Sequence, residues 1–218
     1  MTKIIMVRHG QSIANMQSRF AGHSDFDLSD LGHEQARLAA EYLSSREKPD
    51  VIYSSDLLRA HNTAVPFAKR YGLSINDTEG LREIFAGSWE GLEMTEIAER
   101  YTEDLRVWRE DFSNARCTDG ESVAELYSRI VKFVCELAKR HNGECLLLTT
   151  HATPIRAIEC YSRGFGAERM ADVHFVRNSA INIFEYNPDD DSIIGIETNI
   201  VAHLSEAMVT DVPKSLKN

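Results

Sequence analysis

The sequence has few of the features that would place the chain in a membrane or in a disulfide-stabilised class. Its first apolar run, residues 4–7, is followed directly by Arg8 and His9. A run of this length is far too short for a signal peptide or a membrane span. The four cysteines form no CxxC pair and are too sparse for a disulfide scaffold. The sequence therefore predicts a cytoplasmic protein that makes no membrane contact. The cysteines that we expect to be reduced core thiols are Cys117, Cys135, Cys145 and Cys160.

Positive charge is also scarce. The chain has 24 Lys and Arg against 34 Asp and Glu, a net charge of −10. Such a surface repels nucleic-acid phosphates and anionic lipid, which argues against a nucleic-acid partner. With only 12 Gly and 5 Pro among 218 residues, the composition is that of a globular protein and not of a disordered one. The length predicts a single domain over residues 1–218. It leaves the oligomeric state open between a monomer and a homodimer.

Short apolar runs alternate with longer amphipathic stretches, a pattern typical of a parallel sheet with helices on both faces. We therefore predict an α/β fold with a mostly parallel sheet. The strand candidates are residues 3–7, 51–53, 146–149, 180–186 and 193–198. The helix candidates are residues 31–46, 57–71, 121–140 and 153–163. The last two strands are predicted to pair as a hairpin across residues 187–192.

Between residues 87 and 120 the sequence becomes polar and loses every strand signal. We predict a small helical insert that covers the active site. Its aromatic residues are candidates either for the core or for the substrate pocket: Trp89, Tyr101, Trp108 and Phe112. The tail over residues 205–218 is predicted to be a surface strap or partly disordered.

Two histidines follow predicted strands directly. His9 comes after the first strand, in the segment Val-Arg-His-Gly, and His151 comes after the strand at 146–149. Ligands in open α/β sheets bind beyond the carboxyl ends of the strands, so these imidazoles are expected at one edge of the sheet. Arg8, and Arg59 in the first turn of the next helix, would add two guanidinium groups. Such a cluster predicts a site for a phosphate dianion.

Four segments, in order along the chain, resemble the motifs of the histidine phosphatase superfamily, in its phosphoglycerate-mutase-like branch. The first is residues 7–12 (VRHGQS), with Asn15 and Gly22 at the family spacing. The others are residues 53–60 (YSSDLLRA), 81–91 (LREIFAGSWEG) and 150–156 (THATPIR). A single Arg-His-Gly triplet is a weak signal, whereas four ordered motifs between Arg8 and Arg156 are a specific one.

The resemblance implies a metal-independent phosphatase that needs no cofactor. It makes His9 the nucleophile that becomes phosphohistidine and Glu83 the proton donor to the leaving oxygen. The implied phosphate clamp is Arg8, Arg59 and His151, with Asn15 as a further phosphate contact. His9 must then be unprotonated at its attacking nitrogen, and we expect a backbone carbonyl to hold its other nitrogen.

Further substrate contacts are predicted from Gly22 and His23, in the loop after the first motif, and from Ala152. The family commonly has Gly where Ala152 stands and Glu where Gln11 stands. The backbone N–H of Ala152 is retained, so the clamp survives if its φ is negative. Phe85 and Ala86 also depart from the family pattern, which puts the packing of that loop in doubt.

The function predicted is hydrolysis of a small phosphorylated metabolite through a phosphohistidine. A phosphoglycerate mutase is the alternative within enzymes, although residues 87–92 (GSWEGL) lack the mutase signature. A phospho-ligand binding module without turnover is the alternative outside enzymes. Glu83 could instead form a surface ion pair, and Asn15 could merely cap a turn. The remaining histidines lack the spacing of a zinc site.

Overall fold

The computed structural model describes residues 1–210 and is organised around a six-stranded sheet. The strands are β1 (Thr2–Arg8), β2 (Val51–Ser55), β3 (Ile75–Thr78), β4 (Cys145–Thr150), β5 (Ile181–Asn187) and β6 (Ser192–Ile200). Their order across the sheet is β3-β2-β4-β1-β5-β6. The first four strands are parallel, while β5 is antiparallel to both β1 and β6. The predicted α/β class, the mostly parallel sheet and the β5–β6 hairpin are confirmed.

Alternate residues of β1 enter two different hydrophobic cores, because successive side chains of a strand point to opposite faces. Ile4 and Met6 belong to one core, and Ile5 and Val7 to the other. All four are fully buried. A strand covered on both faces has no polar face, which is why this segment reads as a continuous apolar run.

Seven helices connect or flank the strands within residues 1–210: α1 (Ile13–Met16), α2 (Asp30–Ser44), α3 (Leu58–Tyr71), α4 (Met94–Arg100), α5 (Thr102–Glu110), α6 (Val123–Arg140) and α7 (Ala152–Ser162). Helices α2 and α3 supply apolar residues to the core that contains Ile5, whereas α6 and α7 supply the core that contains Ile4. Helix α6 begins with a reciprocal capping box between Ser122 and Glu125. The helices therefore cover both faces, as predicted.

The sequence prediction missed strand β3, the edge strand next to β2. Its four residues read Ile-Asn-Asp-Thr and are only partly buried or exposed. A short edge strand needs neither an apolar run nor alternation, so it leaves no pattern to detect. The tail prediction falls partly on residues 211–218, which lie outside the described residues. Over residues 205–210 the chain forms a short 3-10 turn, Glu206–Met208, in contact with the body of the protein through Met208 and Thr210.

Residues 87–120 form α4, α5 and short 3-10 turns, and none of the six strands of the sheet lies in this segment. Trp89 is fully buried and packs edge-on against Phe20 and Trp108, with ring centroids 5.4 and 5.8 Å away. The four cysteines are unpaired, and all are buried except Cys145, which is partly exposed. Across residues 1–210, the helices are too short or too polar for any of them to traverse a lipid bilayer.

Candidate active site

The register of the sheet brings the two predicted histidines together. Arg8, at the end of β1, lies opposite Thr150, at the end of β4. The backbone N–H of His9 then donates to the Thr150 carbonyl at 2.9 Å. The His9 and His151 rings that follow are 5.2 Å apart between centroids and inclined by 62°. The predicted convergence of both imidazoles at one sheet edge is confirmed.

His9 is fixed in one tautomer by its own loop. Its Nδ1 lies 2.7 Å from the Gly10 carbonyl oxygen, which can only accept, so Nδ1 carries the proton. The lone pair is therefore on Nε2. Burial, followed by the charges of Arg8 and Arg59, holds the pKa of His9 well below its ordinary value of 6.5. His9 is thus a neutral imidazole at physiological pH, as the sequence analysis requires.

His151 is fully buried and is oriented through its opposite nitrogen. Its Nε2 lies 2.9 Å from Oγ of Ser55, the last residue of β2. Its Nδ1 is buried and makes no hydrogen bond within residues 1–210. Burial, and then the charge of Arg59, lowers the pKa of His151 well below 6.5. The His151 ring lies 5.2 Å from that of His9, but His151 is not among the residues that line the pocket.

Two buried guanidinium groups accompany the histidines. Arg8 donates from Nη1 to the Val176 carbonyl at 2.7 Å. Arg59 donates from Nη1 to Ser24 O at 2.9 Å and from Nη2 to Gly22 O at 2.6 Å. Its Nε makes no hydrogen bond within the described residues. Burial lowers the pKa of Arg59 to about 10, so it stays cationic at neutral pH.

Glu90, which the sequence analysis did not select as a site residue, organises the loop that holds Arg59. Its carboxylate accepts from the backbone N–H groups of His23, Ser24 and Ala86 at 2.6 to 2.9 Å. These bonds orient the Gly22 and Ser24 carbonyls toward Arg59. Position 22 has φ +49, and a Cβ there would lie 2.2 Å from Glu90 Oε1. The Trp-Glu-Gly segment at residues 89–91 is the sequence feature that could have indicated this role of Glu90.

Glu83 lines the same pocket. Its Oε1 accepts from the Ile84 N–H at 2.9 Å, and its Oε2 lies 3.4 Å from the Thr153 N–H. Thr153 is in the first turn of α7, where unpaired backbone N–H groups favour anions. Ala152, the first residue of that helix, also lines the pocket and has the helical, negative φ that the prediction needs.

Asn15 combines the two roles that the sequence left open. Its Oδ1 accepts from the Ser12 N–H at 3.1 Å and from Asn178 Nδ2 at 3.2 Å. Ser12 and Asn15 together form the capping box of α1. Asn15 also lines the pocket, where its amide NH2 group can still donate to a ligand.

His23 is not among the residues that line the pocket. Its Nε2 donates to the Glu83 carbonyl at 2.8 Å, and its ring lies 5.3 Å from that of Phe85. The structure therefore gives His23 a part in fixing the Glu83 backbone, which the loop position alone could not indicate. Phe85 is 43% exposed. The loop in which Phe85 and Ala86 depart from the family pattern is closed by a hydrogen bond from the Glu121 N–H to the Phe85 carbonyl at 2.8 Å.

The pocket extends well beyond the predicted phosphate site. It is lined by Arg8, His9, Ser12, Asn15, Arg19, Phe20, Ala21, Gly22, Arg59, Glu83, Ile84, Trp108, Phe112, Ala152, Thr153, Arg156 and Phe175. Trp108 and Phe112 are the insert aromatics that reach it, while Trp89 and Tyr101 do not. Arg156 belongs to the fourth motif but was not predicted to be a site residue, and Phe175 was not singled out from the sequence. Across residues 1–210, no group of three or more His, Cys, Asp and Glu side chains is arranged to hold a metal ion.

The comparison with known families agrees with this geometry. Residues 4–198 match the histidine phosphatase superfamily (branch 1). The chain belongs to the histidine phosphatase superfamily. Phosphoserine phosphatase 1 of Hydrogenobacter thermophilus is 35% identical over 209 residues, which cover 96% of this chain and 97% of that protein.

Two solved structures are also similar to this chain. Mycobacterial glucosyl-3-phosphoglycerate phosphatase, in complex with VO3, is 30% identical with a TM-score of 0.82. The match covers 90% of this chain and 98% of the mycobacterial chain. Phosphoserine phosphatase from Entamoeba histolytica, in complex with 3-phosphoglyceric acid, is 25% identical with a TM-score of 0.79. That match covers 94% of this chain and 100% of the other. The family and these relatives make the chain a phosphoric monoester hydrolase.

The lowered pKa of His9 predicts a pH-dependent stability. In the unfolded chain His9 takes up a proton near pH 6.5, whereas burial keeps it neutral in the folded protein. The unfolded state then binds more protons below that pH, so the free energy of unfolding falls on acidification below 6.5. Urea unfolding at several pH values measures this decline, and we expect His9→Gln to reduce its slope. Equal slopes for the two proteins would contradict the assignment.

Proposed function

We propose that the chain hydrolyses phosphoric monoesters of small metabolites through a phosphohistidine on Nε2 of His9. The observation that carries this proposal is the bond from His9 Nδ1 to the Gly10 carbonyl, which leaves the Nε2 lone pair unprotonated. Arg8, Arg59 and the Nδ1 side of His151 supply the donors for the phosphate oxygens. The N-terminus of α7 adds partial positive charge to the same region.

In the first half-reaction, Nε2 of His9 attacks phosphorus in line as the P–O ester bond breaks. The guanidinium groups stabilise charge on the equatorial oxygens, so catalysis rests mainly on positioning and electrostatics. The carboxylic acid form of Glu83 gives its proton to the departing ester oxygen. The products of this step are an alcohol and the phosphohistidine, with Glu83 left as a carboxylate.

In the second half-reaction, a water molecule attacks the phosphorus of the phosphohistidine. The Glu83 carboxylate takes the proton of that water, and the P–N bond breaks to return its electron pair to Nε2 of His9. Inorganic phosphate leaves, Glu83 is protonated again and the enzyme is regenerated. Glu83 thus acts as acid and then as base within one turnover.

For the substrate we propose a small phosphorylated metabolite, with phosphoserine and 3-phosphoglycerate as the first compounds to assay. The support is the named activity of the Hydrogenobacter relative and the ligand of the Entamoeba structure. We also propose that the insert over residues 87–120 caps the site within a single domain of residues 1–218. Trp108 and Phe112, which line the pocket, support this arrangement.

We further propose a cytoplasmic location and a homodimer. The location is supported by four unpaired cysteines, as expected where thiols stay reduced. The dimer is supported by edge strand β6, on which Ile194 and Ile196 are each 51% exposed. An edge strand with apolar side chains is open to pairing with a second copy.

The phosphohistidine can be trapped directly. When the enzyme is mixed with a 32P-labelled phosphomonoester and denatured within the first turnovers, we expect acid-labile, alkali-stable label on His9. His9→Ala should carry no label and should lose turnover, because this variant lacks the imidazole that attacks phosphorus. Label on a different residue, or turnover retained by His9→Ala, would contradict the proposal.

The acid role of Glu83 predicts an effect that depends on the leaving group. For an alkyl phosphate, whose leaving oxygen needs a proton, Glu83→Gln should lower kcat by about 100-fold or more. For p-nitrophenyl phosphate, whose leaving group departs as an anion, the loss in the first half-reaction should be much smaller in single-turnover measurements.

Glu79→Gln is the matched control, because the Glu79 side chain is 77% exposed four residues earlier. It should leave both substrates unaffected. An equal loss for both leaving groups in Glu83→Gln would argue against proton donation by this residue.

A further inference from the structure

Arg156 is a buried arginine in the pocket wall to which the phosphatase chemistry assigns no role. It lies on α7, five residues after His151, and is only 4% exposed. Its Nη2 donates to the Met170 carbonyl at 2.9 Å. Its Nε is buried and makes no hydrogen bond within residues 1–210. Arg156 is also one of the residues that line the pocket, so this unused donor capacity lies in the pocket wall.

Within residues 1–210 Arg156 forms no ion pair, and the Glu83 and Glu159 carboxylates offset only part of the effect of burial on its pKa. Burial lowers the pKa of Arg156 to about 10, so it is still a cation at neutral pH. Glu159, the nearest acid along the helix, pairs with Arg163 instead. By contrast Arg19, also in the pocket wall, pairs with Glu93 at 2.8 Å. An unpaired buried charge is unfavourable, and an anionic ligand would offset that cost.

Two aromatic rings fix the guanidinium group in place. Its central carbon lies 4.2 Å from the centroid of Phe112 and 6.0 Å from that of Phe175. The Phe175 ring is also 5.1 Å from the central carbon of Arg8, one of the proposed phosphate ligands. Arg156 and the phosphate site therefore border the same ring. A small molecule held by its phosphate at Arg8 would have its other end within reach of Arg156.

We propose that Arg156 determines substrate specificity by binding a carboxylate of the phosphorylated substrate. The planar guanidinium matches a carboxylate with two parallel N–H···O bonds, a geometry that lysine does not reproduce. The inference rests on the proposed function for the position of the phosphate. The inference adds a preference for phosphomonoesters that carry a carboxylate at the end away from the phosphate, over those that carry an uncharged group there.

The test compares two ligands that differ only at that end, 3-phosphoglycerate and glycerol 3-phosphate. Binding is measured by calorimetry in a His9→Ala background, which prevents turnover. We expect Arg156→Gln to weaken binding of 3-phosphoglycerate by about 10-fold or more and binding of glycerol 3-phosphate by much less. Arg156→Lys should recover part of the difference. Arg37→Gln, the same change at an exposed ion pair on helix α2, should leave both affinities unchanged.

An equal loss for the two ligands, or no loss for either, would overturn the proposal. The equal loss would mean that Arg156 only supports the wall through Met170 and Phe112. Because the assay measures binding and not turnover, its outcome is independent of whether a phosphohistidine forms on His9. In the otherwise unsubstituted enzyme, we expect Arg156→Gln to leave inhibition by inorganic phosphate unchanged, since that ion occupies the phosphate site alone.

Discussion

The hydrogen bond between His9 Nδ1 and the Gly10 carbonyl is the interaction on which the site depends. It sets the tautomer and leaves Nε2 with its lone pair. The carbonyl is held because the Gly10 loop packs directly on the first turn of α2. A Cβ at Gly10 would lie 2.3 Å from Gly32 O, and one at Gly32 would lie 2.0 Å from Gln11 O. Only glycine permits this approach, so the fold itself prepares the nucleophile.

The site also reconciles an acidic protein with an anionic substrate. The chain carries a net charge of −10, yet buried guanidinium groups and the start of α7 surround the two histidines. Within that environment the imidazoles stay neutral, because burial and the neighbouring cations both oppose protonation. Local charge arrangement therefore governs binding and reactivity, while net charge limits only the wider choice of partners.

The parts of this structure that sequence could predict are those with a strong periodic or motif signal. Strands β1 and β4 are buried on both faces, so they appear as apolar runs, and their parallel pairing places His9 beside His151. Strand β3 gave no such signal, because a short polar edge strand depends on pairing with the neighbouring strand β2 and not on its own apolar pattern. The role of Arg156 depends on the rings of Phe112 and Phe175, which lie far from it in sequence. The contact between His23 and the Glu83 backbone is likewise a product of tertiary packing.

The most direct test of the central claim is the protonation state of His9 in the folded protein at pH 7. Nitrogen-15 NMR of histidine-labelled protein reports which ring nitrogen carries a proton, and His9→Gln assigns the signal. The account predicts a neutral ring with the proton on Nδ1 and an unprotonated Nε2. A doubly protonated ring, or a neutral ring with its proton on Nε2, would contradict it.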